Sequence, residues 1–348
     1  MRRNAYGYLF FLFLLCFVLG SAYAEEGDVS SVVYLDLSHT KWKTANEILP
    51  ILEEHPHVEA VTFGKWALSA DILDAIWEVY PNLKMEYNFQ IGKRLVRSTD
   101  EEAVVRSKLD VDELIENFKY LPNLRVFENF ETRYSYEQME IISERYPNLH
   151  MRCTLNFRDH RVRTTVTAFS TLHSTKSDRH TEEDFLILKY IDNLLALDLG
   201  HNAITDISFL EHFPALKVLI LADNQISNLE PIRVLKELEY LELFRNPIEN
   251  VEALAELENL MELNISYCNI HDAEPLLALK NLKRLWISQN TWFLPEEQQQ
   301  LFRETMPDCE FNFTCTTGSS GGGWRRNHSR YTTVKKIFDT RKYRPFSK

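Results

Sequence analysis

The chain has 348 residues, of which 45% are apolar and only ten are glycine, with a formal net charge of −12. That balance describes a folded protein and excludes a linker-like or collagen-like chain. The charge is unevenly placed. Residues 324–348 carry nine Lys or Arg against one Asp, whereas residues 25–323 carry 28 basic against 50 acidic side chains. An acidic body excludes nucleic-acid binding, which needs a basic stripe on a folded face.

Residues 1–24 run from Arg2 and Arg3 through "LFFLFLLCFVLG" to Ala22-Tyr23-Ala24. A basic start, a short apolar block and a small-x-small site are the pattern of a signal peptide. The apolar block is well short of the roughly 20 residues that span a bilayer, and no later segment is longer. The expected mature chain is exported and has no transmembrane helix. Cys16 is preceded by bulky Leu15, which weighs against lipidation and for simple cleavage.

Residues 25–168 form an irregular, repeat-like N-terminal region. Two stretches align at an offset of 66, Pro56 with Pro122 and Pro81 with Pro147. Each reads as a strand, a helix opened by serine (Ser69 to Tyr80, Ser135 to Tyr146), a Pro-Asn turn and a second strand. The expectation is a set of longer strand-helix units extending the solenoid described next. A separate compact α/β domain is the alternative.

Residues 169–193 keep the apolar spacing of a repeat (Phe185, Leu188, Ile191) without its strand leucines, and so make an irregular opening repeat. Residues 194–293 hold five regular repeats: "LLALDLGHNAI", "LKVLILADNQI", "LEYLELFRNPI", "LMELNISYCNI" and "LKRLWISQNTW", each beginning 22 residues after the last. The pattern L-x-x-L-x-L-x-x-N/C-x-I is that of leucine-rich repeats. One such turn cannot bury its apolar face alone, whereas stacked turns pair their strands in parallel and join their leucines into one core. The expected fold class is α/β: a leucine-rich-repeat solenoid or horseshoe with a parallel concave sheet, preceded by the longer strand-helix units and closed by a helix-strand cap. Asn202, Asn224, Asn246, Cys268 and Asn290 share one inward column, a structural ladder in which an amide can bond the backbone of its own and the adjacent turn. Asp206, Asn228, Asn250 and Asp272 recur as turn or cap residues.

Residues 294–315 are the expected C-terminal cap and residues 316–323, "TTGSSGGG", a linker. In the basic tail, 324–348, Tyr331, Val334 and Phe338 fall on one side of a short helix. Three readings of this tail stand: it docks on the acidic body, adheres to an anionic envelope surface, or remains solvated.

Chemical motifs are absent. No H-E-x-x-H, P-loop or G-x-S-x-G occurs, so no catalytic residue, metal site or cofactor is expected. His55-Pro-His57 lacks further ligands at metal spacing. Cys153, Cys268, Cys309 and Cys315 read as buried thiols, because alternation places Cys153 and the Cys309–Cys315 pair on core faces and six residues of extended strand keep the last two beyond disulfide reach. Asn264, Asn312 and Asn327 lie in glycosylation sequons.

The outward strand positions form columns on the concave face. Ile220, Tyr240, Glu242, Phe244, Arg245, Asn264, Tyr267, Arg284 and Trp286 make an aromatic patch edged by charge, the composition of a protein-binding hot spot. The alternative is that a folded tail or flanking segment covers it. The five repeats resemble the 22-residue class of the internalins and of secreted leucine-rich-repeat proteins of Gram-positive bacteria. That resemblance implies recognition of a protein ligand by the concave face. The sequence departs from it in having no sorting motif and no immunoglobulin-like module. The expected function is a non-enzymatic, secreted or cell-surface module that binds an unknown protein ligand. Two alternatives remain: an envelope-associated scaffold held to an anionic surface by its tail, and a carbohydrate-binding or degrading protein using carboxylates and Trp286.

Overall fold

The structure, a computed structural model, describes residues 33–158, 160–172, 179–288, 294–314, 323–326 and 328–346. The expected signal peptide, Asn290, Cys315, Asn327 and all of the expected linker except Gly323 lie outside the described residues. The chain divides into two compact units, one up to Thr132 with Glu140–Cys153, the other Arg133–Met139 with Thr154 onward.

The first part begins with β1 (Val33–Leu37), α1 (Leu49–Glu53), β2 (Val58–Leu68), α2 (Ala70–Val79), β3 (Lys84–Ile91) and β4 (Arg94–Arg97). These strands form a sheet in that order, parallel except for the β3–β4 pair. Leu37, Val61, Phe63, Phe89 and Val96 of the strands and Ile72, Leu73 and Ile76 of α2 are all buried. At Gly64 a side chain has no room, since a Cβ there would sit 2.0 Å from the Ser38 carbonyl oxygen.

Next come β5 (Glu102–Val104), α3 (Val111–Asn117), β6 (Val126–Tyr134), α4 (Tyr136–Arg145), β7 (His150–Phe157) and β8 (His160–Arg163). Their strands make a second four-stranded sheet. The 66-residue offset is visible in the elements, with α2, β3 and β4 each recurring 66 positions later as α4, β7 and β8. Ser135 opens α4 with a reciprocal pair, its Oγ accepting from Gln138 N–H at 3.3 Å while Gln138 Oε1 accepts from Ser135 N–H at 3.2 Å, a capping box. The strands of the first half thus bond in two sheets of their own.

The repeats build the third sheet. It contains β9 (Ala168–Ser170), β10 (Ala196–Asp198), β11 (Val218–Ile220), β12 (Tyr240–Glu242), β13 (Glu262–Asn264), β14 (Arg284–Trp286) and, after helix α5 (Glu296–Thr305), β15 (Glu310–Asn312). All neighbours are parallel, and from β10 to β14 each residue pairs with the one 22 positions on. β9 and β15 lengthen the five-repeat sheet at its two ends. The returning chain forms 3-10 turns, at Ser208–His212, Glu230–Val234, Glu252–Glu256 and Glu274–Ala278. Each is preceded by an Asx turn. Asp206, Asn228, Asn250 and Asp272 accept from the backbone N–H two residues on at 2.7–3.0 Å, the local competition that suits these residues to turns. Between sheet and turns the leucines are sealed, with Leu197, Leu199, Leu219, Leu241, Leu263 and Leu285 at 0% exposure. The last element is α6 (Ser329–Thr340), in the stretch where the sequence places Tyr331, Val334 and Phe338 on one side.

Candidate partner-binding face

In the ladder column each amide works in two directions. Asn224 Nδ2 donates to the carbonyls of Leu199 and Leu221, both at 3.0 Å, and its Oδ1 accepts from Ile204 N–H at 3.1 Å. Asn246 repeats this with Leu221, Leu243 and Ile226 at 2.9–3.0 Å. Asn202 bonds Leu199 O and receives His180 N–H. Cys268 keeps the donor half, its thiol 3.5 Å from Leu243 O. Its sulfur is a weaker acceptor than an amide oxygen, and Ile248 N–H bonds Asn246 O at 2.8 Å. Burial pushes the Cys268 and Cys309 thiols up to about 12, and Cys153, Cys268 and Cys309 are all buried.

The outward face of the same strands is not open to solvent. All three residues of every strand from β10 to β14 are buried, so both faces of the sheet are covered. The cover is the C-terminal segment. Val334, Ile337 and Phe338 of α6 pack in one cluster with Ala168, Ala196, Val218, Ile220 and Ala222, and Trp324 completes it against Tyr240 and Trp286. Beyond the helix, Tyr343 N–H donates to Thr167 Oγ1 at 2.7 Å and Arg341 Nη1 to Arg161 O at 3.1 Å.

The nine patch residues therefore fall in two groups. Ile220, Tyr240, Glu242, Phe244, Asn264, Arg284 and Trp286 are buried. Arg245 is exposed and Tyr267 half-buried. The expectation of an exposed aromatic patch is corrected accordingly: the alternation places these side chains on the outward face, and the tail then removes most of them from water. Asn264 is fully buried, so its sequon is closed to modification in this state.

Trp324 is the centre of the contact. Its indole lies with its centroid 4.3 Å from the Arg284 guanidinium, 5.8 Å from the Tyr240 ring and 5.6 Å from Trp286, geometry in which cation–π attraction and ring packing both contribute. The indole N–H donates to Tyr240 Oη at 2.9 Å, and Arg284 donates to the carbonyls of Trp324 and Gly323 at 2.8 and 3.0 Å. Tyr240 in turn donates to Glu242 Oε1. Arg325 grips the same carboxylate with Nη2 at 2.6 Å and Nε at 3.2 Å. Glu242 is fully buried, and removing one partner of such a pair costs about 3–5 kcal/mol because the other is stranded. Burial pushes the Tyr240 hydroxyl upward, with the Glu242 charge adding to it, and it pushes Asp198 up to about 6 against the N–H of Gly200.

One strand further on, the fit is looser. Glu262 is 2% exposed, and its nearest basic groups, Arg330, His328 and Arg284, stop at 3.6, 3.7 and 3.8 Å. Burial raises its carboxyl to about 7 in spite of Arg284 and Arg330.

Sequence reasoning missed the partner of the patch residues, Gly323-Trp324-Arg325. The available signal was a lone Trp followed by two Arg directly after a Gly/Ser run. It placed His201, Asp223, Arg245 and Tyr267 in one outward column but missed that their φ values of 56–62° are left-handed without a glycine. Asp223 gathers His201 at 2.9 Å, Arg179 at 3.4 Å and Arg245 at 3.7 Å there. Among the histidines, His160 and His180 meet Nε2 to Nε2 at 3.0 Å, a pairing invisible in sequence. No group of three or more metal-ligating side chains occurs among the described residues, and no helix among them is long and apolar enough to cross a membrane.

Residues 192–233 and 214–256 match the family model described as Leucine Rich repeats (2 copies), and residues 256–273 match Leucine Rich repeat. The array is thus a leucine-rich-repeat solenoid of α/β class. Among curated proteins none matches the chain. Among solved structures, the chain is similar to internalin C2 of Listeria monocytogenes at 22% identity, covering 58% of this chain and 79% of that one with a TM-score of 0.31. Internalin F of the same species gives 19% identity, 75% and 62% coverage and a TM-score of 0.35. A leucine-rich-repeat protein of Leptospira interrogans gives 18% identity, 80% and 95% coverage and a TM-score of 0.33. At such identities and scores no function passes from these proteins to this chain.

Proposed function

We propose that this leucine-rich-repeat chain is an exported interaction protein whose concave face binds a protein partner and is held closed by its own C-terminal segment. Export is supported by the basic start, apolar block and Ala-Tyr-Ala of residues 1–24. The observation that carries the reading is the concave patch itself. Its aromatic and charged side chains are the kind enriched at binding hot spots, and the groups around Trp324 bind a segment joined to the repeats only through the Gly/Ser-rich run at 316–323. A face that accepts a tethered segment can accept another chain once the tether yields. The reaction chemistry of an enzyme has no support among these groups: the sequence carries no catalytic motif, and of the buried carboxylates Glu242 is held by Arg325 and Asp198 by the Gly200 N–H.

Capture from envelope preparations with the full chain and with a full-length Trp324→Ala/Arg325→Ala variant tests this. Partner recovery is expected to rise with the variant and to fall when Glu242→Gln is added. Identical recovery with all three chains overturns the reading.

A second reading rests on the tail's other side. Arg326, Lys335, Lys336, Arg341, Lys342 and Arg344 remain exposed on the docked segment, a cationic surface suited to an anionic envelope polymer. Sedimentation with anionic vesicles, lost in the Lys335→Ala/Lys336→Ala variant, would support that scaffold role.

A further inference from the structure

The tail satisfies one half of the concave face and leaves the other half wanting. On the Tyr240–Glu242 side every polar group finds a partner: indole N–H on Tyr240 Oη, Tyr240 on Glu242, Arg325 on Glu242, and both carbonyls of Gly323 and Trp324 on Arg284. On the neighbouring strands, Glu262 Oε2, Asn264 Nδ2, Arg284 Nε and Trp286 Nε1, with His328 Nδ1 and Arg330 Nη1 of the tail, are buried without a hydrogen-bond partner among the described residues. Native interiors hold few such atoms, and each weakens the state that contains it. Six in one patch mark the tail as an incomplete occupant of a face that offers more than the tail takes.

Building on the interaction reading above, we propose that this face recognises a glycine-tryptophan-arginine anchor on a separate cationic polypeptide, and that the tail is a self-ligand which that partner displaces. The glycine follows from Gly323, whose φ of +93° is a backbone conformation that side chains rarely adopt. The indole fills the space between Arg284, Tyr240 and Trp286, and the adjacent guanidinium meets Glu242. A second cation of longer reach would close on Glu262, and a backbone carbonyl would accept from Asn264 or from the Trp286 indole. With Asp198, Glu242 and Glu262 buried along the face, an acidic partner is disfavoured. The advantage of the tail is its tether. Covalent attachment makes its docking intramolecular, so the partner must win by better contacts, and Glu262, Asn264 and Trp286 supply them.

The test uses a labelled synthetic peptide of residues 323–346 and the full-length chain. The Trp324→Ala/Arg325→Ala chain should bind the peptide at least about tenfold more tightly than the wild-type chain does. The Trp324→Ala or Arg325→Lys peptide should bind it about tenfold or more weakly. A His328→Arg peptide should gain about fivefold, and that gain should vanish on a chain also carrying Glu262→Gln. Should the double variant fold poorly, wild-type chain serves: excess peptide should speed hydrogen exchange of its own residues 329–340. Binding that ignores Trp and Arg, or equal binding of a Gly-Trp-Glu peptide or cellohexaose, overturns the proposal. If envelope partners captured by the opened chain are not displaced by the peptide, the interaction reading stands and this inference falls. If the peptide binds as expected and the opened chain recovers nothing beyond wild type, the recognition chemistry stands and the partner reading falls.

Discussion

The two sides of the repeat sheet are stabilised in different ways. On the inner side, Asn224 and Asn246 bond backbone groups no more than 25 residues away, and the same rung recurs from one turn to the next. On the concave side, Trp324 reaches across 84 residues to Tyr240 and Arg325 across 83 to Glu242, and no periodicity repeats the contact. Inner rungs belong to the solenoid and share its cooperativity. The concave cover is a single docked segment, able to open while the solenoid stays folded.

The strongest way to break this separation is Trp324→Ala. Deleting a fully buried indole should cost about 3–5 kcal/mol, and the cost should fall on docking alone. Hydrogen exchange of residues 329–340 is expected to lose most of its protection while the urea midpoint of the repeats barely moves. A matching loss in the repeats would show one cooperative unit instead. Asn224→Ala is the mirror experiment. It strands the buried Ile204 N–H and removes both donors to Leu199 and Leu221, for about 2–3 kcal/mol. Urea denaturation should show that loss in the repeats.

The same difference decides what was legible in the sequence. The leucine spacing, the Asx column from Asp206 to Asp272 and the Asn column are periodic, so five copies reveal them and stacking physics gives their direction. The outward columns were legible for the same reason, since alternation along β10–β14 sends Tyr240, Glu242 and Trp286 to one face. Their burial was not. It depends on a segment some 84 residues from Tyr240, and tail docking stood as one of three readings because an amphipathic, basic stretch fits a body, a surface or water equally. The left-handed backbone at His201, Asp223, Arg245 and Tyr267 was hidden too, because none is the glycine that usually signals it.

Glu262 sharpens the comparison through pH. Its carboxyl is raised by burial to about 7 from 4.5, Asp198 likewise to about 6 from 3.8, while burial and then Arg284 depress His328 below 6.5. A raised carboxyl means that the closed state holds a proton the open state releases, so these two groups weaken docking as pH rises between about 4 and 7. His328 opposes them, favouring opening as pH falls below 6.5. Replacing Glu262 by Gln removes the larger carboxylate contribution. Docking at pH 8 should tighten by on the order of 2 kcal/mol and its difference between pH 5.5 and 8 should shrink, measured as tail exchange corrected for intrinsic rates. An unchanged profile would place the pH sensitivity elsewhere.

The smallest effect tests the inner side from the opposite direction. Cys268 retains the thiol-to-Leu243 contact but leaves Ile248 N–H to the poorer arrangement of bonding Asn246 O, two residues back. Asn at this position would supply both a stronger donor toward Leu243 O and a stronger acceptor for Ile248 N–H. Cys268→Asn should therefore stabilise the repeats by about 1 kcal/mol, read as a raised urea midpoint at unchanged slope. Tail exchange should not respond, because the ladder and the cover share a sheet but no hydrogen bond at this rung. If the variant is instead destabilised, the space around Cys268 has closed around sulfur, and the ladder is set by packing at that turn rather than by its amide.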